Sequence, residues 1–221
     1  MLNAPGSASD RAPDPRRRLA LFLLIAVNLL PVFGVLFFGW DVGALVVLYW
    51  SENLILGAFT LLKMASVAGV MATFPGLFFL IHYGGFCAVH GLFILMLLLG
   101  GADMGNLSWP FFLVFVELLL NVIEQVLALA PAEWVVAFIG LVISHGYSFV
   151  ANFVLGGERD RATVRELMAA PYKRIVILHI AVIAGGFGIS ALGEPLVLLL
   201  ALVALKIVVD IALHRREHAD R

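Results

Sequence analysis

Cysteine and charge are both scarce in this sequence. The one cysteine, Cys87, sits inside an apolar run, so no disulfide can form within the chain and the redox compartment is left unmarked. Charged residues are 13% of 221, about half the usual share of a soluble domain. The 14 Lys and Arg nearly balance the 15 Asp and Glu, and a net charge of −1 offers no field for nucleic acid or an acidic partner. No Gly-x-Gly-x-x-Gly follows a strand pattern, and no P-loop occurs. His145-Gly146-Tyr147-Ser148 lacks the Gly-x-Ser-x-Gly elbow of a serine hydrolase. An intramembrane serine nucleophile at Ser144 or Ser148 is the only protease reading that remains. There is no tandem repeat and no low-complexity tract.

What the chain does have is apolar surface, with 62% hydrophobic residues. A water-soluble core of this size cannot bury so much, so the expected partner is a lipid bilayer. The expected fold is all-α, a polytopic transmembrane helix bundle with six spans plus one amphipathic or re-entrant helix. Residues 1–18 form a polar tail that should be disordered. Residues 19–214 form a single transmembrane domain, and residues 215–221 a second tail.

A span needs about 20 apolar residues. The first, Leu19–Phe38, follows Arg16-Arg17-Arg18, carries Asn28 and Pro31, and has no small-x-small cleavage site after it, so it reads as an uncleaved span. Further spans are expected at Val42–Val67, Phe74–Leu99, Trp134–Leu155, Ile175–Leu192 and Leu196–Leu213. Trp109–Ala130 is apolar too, but Glu117, Asn121, Glu124 and Gln125 share one of its faces. Basic loops stay in the cytoplasm. Arg16–Arg18, Lys63, the loop with Arg159, Arg161 and Arg165, and the Arg215-Arg216 tail fall on one side only if Trp109–Ala130 does not cross. That segment should lie along the outer surface or pack as a re-entrant helix, with both termini cytoplasmic. Thr163-Val164-Arg165-Glu166 reads as a capping box opening a short helix that stops before Pro171.

Polar side chains at bilayer depth cost enough to be functional candidates. Glu52 and Asn53 fall near the middle of the second span. His82 and His90 lie two turns apart in the third, and His145, Ser148 and Asn152 share a face of the fourth. Glu52, His82, His90 and His145 are expected to converge on one inter-helix space, as ligands of a transition metal or haem or as a proton relay. His82 and His90 stand about 12 Å apart along a straight helix, too far to bind one ion together. His179 and Asp210 are expected to pair nearer the cytoplasm, with Lys206 one turn from Asp210. Each of these groups has a simpler reading as a packing or helix-fastening residue. Trp40, Trp109 and Trp134 fit interfacial positions.

Several strings together resemble those of a known family. They are Tyr49-Trp50-Ser51-Glu52-Asn53, His82-Tyr83-Gly84-Gly85-Phe86 with His90-Gly91, Ser144-His145-Gly146 with Ser148 and Asn152, Pro171-Tyr172 with Arg174, His179, Gly185-Gly186-Phe187, and Lys206 with Asp210. In this order they resemble the prokaryotic domain-of-unknown-function family 6498, over about Asn28 to His218. The resemblance implies a multi-pass protein of a prokaryotic plasma membrane and carries no reaction with it. Three classes stay open: a metal- or haem-binding redox protein, a proton-coupled transporter, and a structural or assembly protein, any of them as a homo-oligomer.

Overall fold

The structure is a computed structural model that describes residues 29, 31–99, 101, 104, 106–129, 132–193 and 196–217, with side chains at 99, 132, 133, 173, 190 and 209–217 excepted. The described residues are helical and contain no strand. Residues 31–38 are helical; most of the expected first span lies outside the described residues. Then follow α1 (Val42–Ala68), α2 (Thr73–Leu99), α3 (Val114–Leu129), α4 (Ala132–Ser148), α5 (Val164–Ala169), α6 (Tyr172–Leu192) and α7 (Leu196–Glu217). Three helical stretches among the described residues are long and apolar enough to cross a membrane: Val42–Leu98, Trp134–Val154 and Val164–Ile189.

The first of these stretches folds back on itself. Asp41 caps α1, its carboxylate accepting from the Ala44 amide at 2.6 Å. The helix ends at Gly69, whose φ of +53° only glycine adopts without strain. A 3₁₀ turn over Gly69–Ala72 then reverses the chain. Trp50 Nε1 donates to the Cys87 carbonyl at 2.8 Å and the Tyr83 hydroxyl to the Asn53 carbonyl at 3.1 Å, so α1 and α2 run antiparallel. Trp50, Val46, Ala88, Ile94 and Val122 are all buried where α1, α2 and α3 meet.

After α2 the chain doubles back into the bundle. Gly84 and Gly85 face Leu119 and Phe115, and Gly91 faces Val122, so α3 runs in the same direction as α2. The residues before α3 must therefore descend beside it, and hydrogen bonds hold them there. The Glu117 carboxylate accepts from the Ser108 and Trp109 amides, each at 2.8 Å, and Asn121 Nδ2 donates to the Met104 carbonyl at 3.0 Å. The polar face legible in the sequence thus serves the chain's own backbone, while Leu118, Val122 and Val126 on the other face are buried.

α4 continues through a π-helical turn, Phe149–Val154, and packs along α1 in the same direction, with Phe59 against His145 and Phe149, and Lys63 over the Phe153 ring. The expected capping box is present: Glu166 N donates to Thr163 Oγ1 at 3.3 Å and Thr163 N to the Glu166 carboxylate at 3.2 Å, opening α5. α6 and α7 form a tight hairpin through Gly193, φ +72°. A Cβ on Gly185 would come within 2.8 Å of the Leu198 backbone, which is why the two helices can touch. Trp134, expected at an interface, is buried and stacks on Phe138.

Candidate functional site

The polar groups of the helices come together in pairs, most of them through α6. Pro171 lies at its start, so Tyr172 and Arg174 occupy the first turn and His179 the third. Tyr172 and His179 are seven residues apart and share a face. That face meets α2, where His82 and His90 are spaced at eight. The Tyr172 hydroxyl lies 2.8 Å from His82 Nδ1, and His179 Nδ1 lies 2.8 Å from His90 Nε2. Both pairs advance along the two chains together, so α2 and α6 run the same way. Phe86 stands between the two α2 histidines, its ring against both.

The protons of the second pair can be assigned from chemistry. His90 Nδ1 lies 2.6 Å from the Phe86 carbonyl, which can only accept, so Nδ1 carries a hydrogen. In a neutral ring Nε2 is then a bare acceptor, and it must receive its hydrogen bond from His179 Nδ1–H. This leaves His179 Nε2 as the outer acceptor of the chain, with no hydrogen bond among the described residues. His90 is 2% exposed, whereas His179 is exposed.

Glu52 organises the other group. Its Oε2 is 2.5 Å from Arg174 Nη2, and its Oε1 is 4.0 Å from His145 Nε2. Three helices, α1, α6 and α4, therefore meet at one carboxylate. His145 Nδ1–H donates to the Leu141 carbonyl at 3.0 Å, which turns Nε2 toward Glu52. At 4.0 Å that nitrogen is beyond direct hydrogen bonding, within reach of the carboxylate only through a small rotation or a bridging water. The Glu52 side chain is 14% exposed and that of His145 21%. This shields both from full hydration and makes the Arg174 charge the compensating one.

The neighbours expected to support this site have other tasks. Asn53 is buried and donates to the Tyr49 carbonyl at 3.0 Å, while its Oδ1 has no hydrogen-bond partner among the described residues. Asn152 Nδ2 donates to Ser148 Oγ at 3.1 Å, an exposed bond from the π-helical turn to the end of α4. Lys206 Nζ lies over the Tyr49 ring at 5.3 Å. The Asp210 side chain lies outside the described residues, so the expected His179–Asp210 pair does too.

Glu52, His82, His90 and His145 thus differ from the expected single constellation. The four side chains divide among three partners: Glu52 and His145 near each other with Arg174, His82 with Tyr172, and His90 with His179. Among the described residues no three His, Cys, Asp or Glu side chains stand close enough together to hold a metal ion. Arg174 and Tyr172 are the members that spacing alone did not single out as partners. The available signal was their place just past Pro171, a cation and a phenol entering an apolar helix.

These features define an all-helical protein with membrane-length apolar helices and titratable pairs built between them. The chain belongs to a family of unknown function, DUF6498, whose model matches residues 10–221. No curated protein and no solved structure matches it.

Proposed function

We propose that this protein is a proton-coupled transporter of a prokaryotic plasma membrane. It crosses six times with both termini in the cytoplasm, and Glu52, Arg174 and His145 form its proton-responsive element. The carrying observation is the Glu52 carboxylate standing between a permanent cation and a titratable imidazole, each on a different helix. While Glu52 is ionised, the Arg174 pair ties α6 to α1. A proton taken up at His145 Nε2 and passed on to Glu52, which leaves the imidazole neutral again, cancels the carboxylate charge and weakens that tie, so α6 is free to shift against α1 and α4. Coupling a proton to helix movement in this way is what a carrier requires.

Residues 104 and 106–109 support the same reading. They are non-helical, bond to Glu117 and Asn121 of α3 through Met104, Ser108 and Trp109, and lie beside a helix that meets the middle of α2 at Gly85. At membrane depth such irregular backbone is tolerated only inside protein or beside an aqueous cavity. The division of the three histidines among separate partners favours this reading over one shared metal or haem centre.

Proteoliposomes loaded with a pH-sensitive dye test the proposal. Under an imposed pH gradient, vesicles with the wild-type chain should move protons faster than empty vesicles, and Glu52→Gln should abolish the difference while the protein stays folded. Equal flux through wild type and Glu52→Gln would overturn it.

A further inference from the structure

Beside the His90–His179 pair lies a half-open cavity of about 290 Å³, lined among the described residues by α2 and α6. Its wall includes Val89, His90, Phe93, His179, Gly186 and Phe187, and none of its lining residues is an Asp, Glu, Lys or Arg. Among the described lining residues the hydrogen-bonding side chains are the two imidazoles. Their pairing leaves one acceptor, His179 Nε2, with no hydrogen bond among the described residues. Phe93 and Phe187, in the same wall, are 52% and 75% exposed.

Each feature narrows the occupant. A carboxylate or phosphate head would lack a permanent compensating cation in this wall. A purely apolar chain would leave His179 Nε2 unsatisfied on the cavity surface. What fits is a neutral amphiphile whose flat ring places one donor on His179 Nε2, leaves any second polar group at the open side, and can lie against the phenylalanines. Pockets for small ligands share this pattern of apolar walls with very few placed polar groups, and the volume is at the lower end of their range.

We propose that this crevice binds the ring of a lipid-soluble quinol, with a ring hydroxyl donating to His179 Nε2 and the hydrophobic tail leaving between α2 and α6. The site is separate from Glu52 and Arg174. It rests on the transporter reading only in supposing that the ligand arrives from surrounding lipid.

The test is calorimetric titration of the purified full-length chain, in detergent, with decylubiquinol. Saturable binding is expected. His179→Ala should weaken it at least tenfold by removing the acceptor. Gly186→Leu should do the same by filling the cavity, since a Cβ there meets only the ends of the Leu97 side chain at 3.5–3.6 Å. His82→Ala, on α2 with His90 but outside the cavity, should bind as wild type does, and palmitate should not compete. Absence of binding overturns the proposal. So does equal binding by all variants, a loss shared by His82→Ala, or competition by palmitate. Resistance of the chain to extraction from membranes by alkaline carbonate tests the membrane reading separately.

Discussion

Arg174 Nη2 lies 2.5 Å from Glu52 Oε2, joining the first turn of α6 to the middle of α1 across 122 positions of sequence. Two charges removed from water stabilise each other only while both are present. Removing one strands the other, which costs about 3–5 kcal/mol where burial is complete. The Arg174 side chain is 38% exposed, so a smaller loss of about 1–3 kcal/mol is expected here. Thermal unfolding in detergent should show Arg174→Gln and Glu52→Gln each less stable than wild type, with the double variant better than the sum of the two. Strict additivity would mean that the pair carries no coupling energy.

Helix contact at Gly185 leaves no room for a side chain. Gly185→Val should force α6 from α7 and lower stability by about 1–3 kcal/mol, read as a fall in midpoint temperature. Gly140 has nothing within 4 Å of a built Cβ, and Gly140→Ala should leave the midpoint unchanged or slightly raised. Equal effects at the two positions would argue against the observed packing.

The α5 capping box predicts a pH dependence. Hydrogen bonds from the Thr163 side chain and backbone hold the Glu166 carboxyl below its ordinary pKa. A carboxyl with a depressed folded-state pKa contributes stability above its unfolded value and loses it as pH falls through the folded one. Amide exchange in residues 163–170 should therefore speed up below about pH 4 beyond the intrinsic change, and Glu166→Gln should remove that extra acceleration. Unaltered acid sensitivity in Glu166→Gln would assign the effect to another group.

The proposed orientation is open to chemical labelling. Cys87 is fully buried, so a thiol reagent should not reach it in the folded chain. A cysteine placed at Asn106 should react with an impermeant reagent added to intact cells, and one placed at Thr163 should react only after lysis. Equal labelling of both from outside would sink the six-pass arrangement.

Much of the helical framework was legible in local pattern. Long apolar runs and the Thr163 cap mark helices in the sequence because those signals act within a few residues, while the Asp41 cap and the Gly69 and Gly193 turns emerged only in the structure. The polar face of α3 was visible too, though not its use in tying down residues 104–109. His90 and Glu52 could be named as unusual because a polar group in an apolar run is costly wherever the helix sits.

Partnership was a different matter. Sequence spacing determined that His82 and His90 share a face of α2, since the helical repeat alone decides that. Tertiary structure decided that this face meets Tyr172 and His179, and that Glu52 looks away from it toward Arg174 and His145. The rotation of each helix about its axis depends on how it packs against its neighbours. In a chain apolar on nearly every face, hydrophobic periodicity is too weak to set that rotation. The sequence thus determined which residues are costly in an apolar helix, and the packing of α1, α2, α4 and α6 determined which of them stand together.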